Sequence, residues 1–248
     1  VDGLSGVVVV TGAGGDIGRA TATLLAARGA RILAVDLAGD AAEATASVIR
    51  DAGGHATAMV ADVTDPAQVR AYALRAAELG PITGFFNNAG VEGRVAPLGE
   101  MTVESFDAVF AVNVRGVFLG LSALLPVLES GGAVVNTASS GGLRGSPGMS
   151  AYVASKHSVV GLTKVAALES AARGIRVNAV CPSGVDGRMM DSLDAQRAAA
   201  GVRPVEAERM GRRATPQDVA GAVAYLLGPD SGFVNGTMLS VDGGKTAG

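Results

Sequence analysis

Short runs of consecutive apolar residues alternate along this chain with longer stretches whose apolar positions recur every three to four residues. Residues 7–10, all valine, have the continuity of a strand buried on both faces, and 17–28 carry helical periodicity. The same alternation predicts further strands at 31–35, 56–60, 82–86, 133–137, 176–180 and 238–241. Helices are predicted at 41–52, 66–79, 103–128, 151–173 and 216–227. Gly53-Gly54 ends one of them, and Pro66 stands just inside the start of the next, where a missing N–H costs nothing. Strands of this kind, separated by helices, predict an α/β fold: a doubly wound, mostly parallel seven-stranded sheet with helices on both faces. No linker, repeat or low-complexity tract divides residues 1–248, so one Rossmann-type domain is expected. The polar, Met-bearing stretch 186–213 breaks the alternation, with a short helix at 195–201 and no strand. It follows a strand's carboxyl end, where ligands bind in such sheets, and reads as a substrate lid; a solvent-exposed excursion is the alternative.

Composition narrows the function classes. Hydrophobic residues make up 48% of 248 and charged ones 17%, enough to bury a large core. A net charge of −3 without a basic run lacks the electrostatic footprint of a nucleic-acid binder. The apolar run 116–128 is too short to span a bilayer and reads as a buried helix, so no membrane role is expected. The N-terminal residues carry no basic-then-apolar signal pattern. The lone Cys181 excludes an intrachain disulfide and suits a reducing, cytoplasmic compartment; it reads as a small buried residue rather than a nucleophile. With His55 and His157 the only histidines, no metal site is expected.

The first strand runs into Thr11-Gly12-Ala13-Gly14-Gly15-Asp16-Ile17-Gly18 and then a helix. Glycines there let backbone N–H groups approach a diphosphate, which the helix N-terminus also favours. Asp16 brings a carboxylate close to that position, and reads as a helix cap with its side chain turned away. Asp36 closes the second strand, where an acidic residue accepts hydrogen bonds from an adenosine ribose. A 2′-phosphate would be repelled, and no Arg or Lys occupies 12–17 or 37–42, so NAD is expected over NADP. Asp62-Val63 and Asn87-Asn88-Ala89-Gly90 follow the third and fourth strands on the same side of the sheet.

Tyr152 and Lys156 stand at i and i+4 of a predicted helix, on one face. A phenol ordinarily holds its proton to about pH 10. A neighbouring ammonium stabilises the phenolate and would bring the group into range for proton exchange with an alcohol. By itself such a pair is common on helix surfaces.

Together these residues, with Asn113, Ser139, Asn178-Ala179-Val180-Cys181-Pro182 and Val241-Asp242-Gly243-Gly244, resemble the conventional branch of the short-chain dehydrogenase/reductase family, from residue 7 to 244. The resemblance implies that Tyr152 is the general acid/base, and that Lys156 lowers its pKa and holds the nicotinamide ribose. Ser139, thirteen residues before Tyr152, would bind the substrate oxygen, with Ser140 the competing serine. Asn113 would anchor a water-linked proton path to Lys156. Gly12, Gly15, Asp16, Ile17, Gly18, Asp36, Leu37, Asp62, Val63, Asn88, Ala89, Gly90, Pro182 and Val185 would meet NAD beside Tyr152 and Lys156.

Two positions depart from the family's pattern. Asp16 replaces its second glycine, and Gly187 stands where a threonine near the nicotinamide carboxamide is usual, leaving that contact to backbone at Val185. Residues 84–93 and 117–121 resemble members that act on cyclic ketones and alcohols. Candidate pocket walls are Ser139, Gly141, Leu143, Tyr152, Ser183, Met189 and Met190, which suit an uncharged cyclic or short-chain secondary alcohol; Arg144 or Arg188 could instead meet an anion. A homotetramer is expected by resemblance, and the helix at 151–173 is apolar on more than one face. The competing readings are a 3-oxoacyl-carrier-protein reductase and a catalytically silent NAD-binding protein.

Overall fold

Seven strands form the sheet: β1 (Val7–Thr11), β2 (Arg31–Asp36), β3 (His55–Val60), β4 (Ile82–Asn87), β5 (Ala133–Thr137), β6 (Arg176–Pro182) and β7 (Met238–Val241). In this computed structural model, which describes residues 4–202 and 209–247, they lie in the order β3-β2-β1-β4-β5-β6-β7. Every neighbouring pair is parallel, as the unbroken apolar runs predict. Strand order reverses between β1 and β4, so the loops at their carboxyl ends diverge and open a crevice.

Alternate residues of β1 feed opposite cores, as the two-residue period of a strand requires. Val7 and Val9 pack with Tyr72 of α3 (Pro66–Leu79), Leu121 of α5 (Val117–Leu124) and Val159 of α6 (Ser150–Ser170). Val8 and Val10 pack with Leu25 of α1 (Asp16–Ala27), Ile49 of α2 (Gly39–Asp51) and Val223 of α8 (Pro216–Leu227). The sheet is therefore covered on both faces.

Local chemistry fixes several boundaries. Asp65 accepts hydrogen bonds from the Ala67 and Gln68 amides, and α3 begins at Pro66. Thr215 and Asp218 form a capping box at the start of α8. At that helix's other end, the buried Arg176 guanidinium donates to the carbonyls of Leu226 (2.7 Å) and Gly228 (3.0 Å) and to Ser231 Oγ (2.6 Å). A cation at a helix C-terminus meets both the unpaired carbonyls and the helix dipole.

Two elements differ from the sequence reading. The helix predicted at 103–128 is α4 (Val103–Phe110) and α5 joined by a π turn, Ala111–Gly116, and it closes in a 3-10 turn. By length and composition Val103–Val127 could cross a membrane, but Val109, Val117, Leu121 and Leu124 are buried in the protein. One face of this helix packs into the core and the other is open, with Phe118 52% exposed, so the helix is not buried all round. The helix expected at 195–201 begins seven residues earlier, as α7 (Arg188–Ala199). Residues 203–208 of the predicted lid lie outside the described residues.

Candidate active site

The glycine loop joins β1 to α1 and depends on close backbone approach. A Cβ at Gly18 would lie 2.0 Å from the Gly12 carbonyl oxygen, and Gly12 itself has φ +63°. No side chain caps α1, whose N-cap is Gly15 in extended conformation, so its first amides face the crevice. The Asp36 carboxylate accepts from the Gly14 amide (2.9 Å) and the Ala38 amide (3.0 Å), tying β2 to the loop. Thr11 Oγ1 accepts from the Asn88 amide (2.9 Å), and Asn88 Oδ1 accepts from Thr137 Oγ1 (3.0 Å). The Asp62 carboxylate holds its own turn through the Thr64 amide (2.8 Å).

Gly12, Gly18, Asp36, Asp62, Asn88 and Thr137 line one cleft of about 550 Å³. Every position expected to meet the cofactor borders it, from Gly12 to Val185, together with Ser139, Tyr152 and Lys156. Asn113 does not. Its side chain is buried behind the wall, bonded to both backbone groups of Val91 (2.8 and 2.9 Å) and to Ser155 Oγ (3.1 Å). Ser155 Oγ in turn donates to the Tyr152 carbonyl (2.7 Å), so Asn113 braces the start of α6.

The Lys156 ammonium donates to the Thr137 carbonyl (2.7 Å) and lies 5.6 Å from the centre of the Tyr152 ring. Burial lowers the pKa of Lys156 to about 8. The largest influence on the Tyr152 phenol is also burial, which raises its pKa, and the hydrogen bond with Ser139 lowers it. The sequence-based expectation that the ammonium governs this phenol is therefore corrected for the cleft as it stands. The Lys156 ammonium, still charged at neutral pH, is directed at the Thr137 carbonyl and is not among the influences on the Tyr152 hydroxyl, where burial dominates. Ser139, not Ser140, is the serine coupled to Tyr152; its Oγ also accepts from the Gly141 amide (3.0 Å). Burial raises the Cys181 thiol to about 11, so it is an inert packing group.

Asp16 does not cap its own helix. Its carboxylate accepts from the Arg188 amide at the start of α7 (3.0 Å), and Arg188 Nη2 reaches the Gly14 carbonyl (3.3 Å). Arg188 thus reaches the glycine loop, and both it and Arg144 border the cleft. Beyond Tyr152, Met149, Met190 and Leu193 form a small apolar cluster with Val153 and Val202. Thr137, Ser155, Met149 and Leu193 were not marked as site residues by the sequence, since none has a spacing that signals a site.

A Gly-rich strand-to-helix turn, an acidic residue ending β2 and a Ser/Tyr/Lys group in one crevice define a dinucleotide-dependent oxidoreductase type of site. The chain belongs to the short-chain dehydrogenase/reductase family: residues 12–246 match the family described as enoyl-(acyl carrier protein) reductase. It is 41% identical to levodione reductase of Leifsonia aquatica over 97% of this chain and 94% of that one. The crystal structure of levodione reductase superposes with a TM-score of 0.92 at 40% identity, covering 98% of each chain. Cis-4-hydroxycyclohexanecarboxylate dehydrogenase of Sinomonas cyclohexanicum is 43% identical over 97% of this chain and 96% of its own. An NAD+-bound xylitol dehydrogenase structure matches with a TM-score of 0.92 and 34% identity, over 96% of this chain and 98% of that one. The protein is an oxidoreductase of this family.

Proposed function

We propose that this protein is an NAD-dependent oxidoreductase that interconverts a small cyclic secondary alcohol and its ketone, with Tyr152 as general acid/base. The observation that carries this reading is a single cleft bordered at one end by the glycine loop and Asp36, and at the other by Ser139, Tyr152 and Lys156. The residues fit a dinucleotide: α1 offers uncapped amides for a diphosphate, and glycines keep Cβ atoms out of its path. When bound, NAD supplies the hydride acceptor for alcohol oxidation and, reduced, the donor for the reverse.

The protein's own residues position the substrate and move the proton. Ser139 and Tyr152 hydrogen-bond the substrate oxygen between them. In oxidation the Tyr152 phenolate takes the hydroxyl proton as the carbinol hydrogen leaves as hydride. In reduction the phenol returns that proton to the nascent alkoxide. Lys156 holds the nicotinamide ribose, and Asn113 keeps the start of α6 in place. The Met149, Met190 and Leu193 cluster gives the far wall an apolar surface suited to an uncharged ring. Two relatives are named for alicyclic ketones or alcohols, which supports a cyclic secondary alcohol, although one of those rings, cis-4-hydroxycyclohexanecarboxylate, carries a charge. Segment 186–213 acts as the lid, and the enzyme works in the cytoplasm as a homotetramer. Val165 and Leu168 on α6, 52% and 80% exposed, support association through that helix.

Because burial raises the Tyr152 pKa, the phenolate needed for oxidation becomes more populated as pH rises. Alcohol oxidation is therefore expected to accelerate with pH through neutrality, by up to about tenfold per unit. Ketone reduction, which needs the phenol, should show no such rise. Initial rates in both directions across pH check this; an oxidation rate that falls as pH rises through neutrality contradicts it.

Asp36, which ends β2 and borders the cleft, supports NAD as the cofactor: its carboxylate would repel a 2′-phosphate on an adenosine ribose bound there. The kcat/KM ratio of NAD to NADP is expected to be at least about a hundredfold, the size of repulsion from one uncompensated carboxylate. A preference for NADP would overturn the cofactor assignment and favour the 3-oxoacyl-carrier-protein reductase reading. A screen of cyclic and acyclic secondary alcohols with NAD, followed by the absorbance of reduced nicotinamide, tests the function as a whole.

A further inference from the structure

The two departures from the family's sequence pattern meet in space. Gly187 has φ +143°, and a Cβ built there would lie 2.3 Å from Asp16 Oδ2 and 2.7 Å from the carboxylate carbon. The same Oδ2 accepts the Arg188 amide at 3.0 Å, although 172 residues separate the two. Helix α7 starts at Arg188 with Gly187 as its N-cap, and glycine offers no side chain to satisfy the first amides. Asp16 supplies that missing acceptor from the opposite side of the cleft, with a negative charge at the positive end of the helix. Arg188 reaches back in the other direction, from Nη2 to the Gly14 carbonyl. All three of Asp16, Gly187 and Arg188 border the cleft.

We propose that Asp16 is a positioning residue that caps α7 across the cleft and so clasps that helix to the glycine loop, and that position 187 is glycine both because φ +143° disfavours a side chain and because a Cβ there would displace the clasping carboxylate. The clasp does not depend on a ligand; its effect on cofactor retention rests on the reading of this cleft as the NAD site. One substitution without the other removes something: a threonine at 187 collides with the carboxylate, and a residue without an acceptor at 16 leaves α7 uncapped. Because Asp16, Gly187 and Arg188 all border the cleft, breaking the clasp is expected to speed release of a cofactor held there. The loss of the family's threonine is thus the counterpart of a new tie between lid and loop.

The test compares Asp16→Ala, Asp16→Asn, Gly187→Thr and the double variant Asp16→Gly/Gly187→Thr with the wild type. Amide hydrogen exchange at Arg188 is read in the cofactor-free protein, and the rate of NAD dissociation is read separately by stopped flow. Loss of an N-cap acceptor is expected to speed exchange at Arg188 by about fivefold in Asp16→Ala, with exchange in β1 and β4 unchanged. Asp16→Asn, which keeps an oxygen acceptor, should retain most of the protection. NAD should leave Asp16→Ala several-fold faster. Gly187→Thr alone should loosen α7 more than Asp16→Ala, since backbone strain at φ +143° adds to the collision. In the Asp16→Gly background the collision part is relieved and only the strain remains, a non-additivity that two independent sites would not give. Unchanged exchange at Arg188 in Asp16→Ala, or strict additivity of the two substitutions, would overturn the clasp. Faster exchange in a protein with no measurable NAD binding would uphold the clasp and overturn the NAD reading instead.

Discussion

Tyr152→Phe is expected to reduce turnover by at least about a thousandfold, within the range of a lost general acid/base, while NAD affinity changes by no more than a few-fold. The substitution removes one oxygen and keeps the ring that borders the cleft and packs with the Met149, Met190 and Leu193 cluster. Only the hydroxyl proposed to exchange a proton with the substrate is lost. Ser139 keeps the Gly141 amide as a partner, so the loop after β5 has a reason to stay in place. Steady-state kinetics with equilibrium NAD binding on the same preparation check both halves. A Phe variant that turns over at near the wild-type rate would remove Tyr152 from the proton-transfer step.

Lys156→Met is expected to lower turnover by at least about a hundredfold and, at neutral pH, to make the protein more stable. Lys156 is 3% exposed, and its one charge-bearing group donates to a neutral carbonyl rather than a carboxylate. Burial has moved its pKa from 10.5 to about 8, which corresponds to a penalty of roughly 2–4 kcal/mol on the charged form. For a base whose folded pKa lies below its unfolded value, that penalty is present in full below about pH 8. It is relieved as pH rises from there to about 10.5, since the unfolded chain then binds more protons. Methionine removes the charge and fills the space of the stem, but leaves the Thr137 carbonyl without this donor, at a cost of about 1–2 kcal/mol. A net gain of roughly 1–2 kcal/mol at pH 7 follows, shrinking toward alkaline pH. Denaturant unfolding of both proteins at neutral and alkaline pH checks it. A less stable Met variant at neutral pH would mean that the ammonium is better satisfied than its surroundings indicate.

Stability and turnover are thus set against each other at one residue, which is the expected state of a functional side chain held in an apolar setting. The same logic accounts for what could be read from the chain and what could not. Helix α3 was legible at both ends because Asp65, Pro66 and Gly80 are local signals. Helix α8 was legible from its periodicity over 216–227, and the structure adds the Thr215/Asp218 capping box at its start. The start of α7 was not, because its cap is Asp16, which no window around residue 187 contains. The π turn at Ala111–Gly116 was hidden as well, since the apolar pattern runs through it without a break.

The candidate site divides along the same line. Ser139, Tyr152, Lys156 and the glycine loop carry a recognisable order and spacing, and the fold brings all of them to one cleft. Thr137 and Ser155 act through a backbone carbonyl and a side-chain bridge, and no sequence spacing marks such contacts. The direction of the Tyr152 shift was misjudged from the i, i+4 pair, because burial is a property of the packed sheet and not of one helix. The pair shares a face as the spacing predicts; what surrounds that face decides its chemistry.

Hydride transfer coupled to proton removal by Tyr152 is the central claim, and isotopic tracing tests it most directly. A cyclic secondary alcohol carrying deuterium at the carbinol carbon is to be oxidised with NAD, and the reduced nicotinamide and the ketone are then examined. The account predicts that one deuterium per ketone appears at the nicotinamide ring, on a single face, with none released to solvent. Ketone formed with deuterium in the water, or no transfer from any alcohol to an NAD that is demonstrably bound, would contradict it.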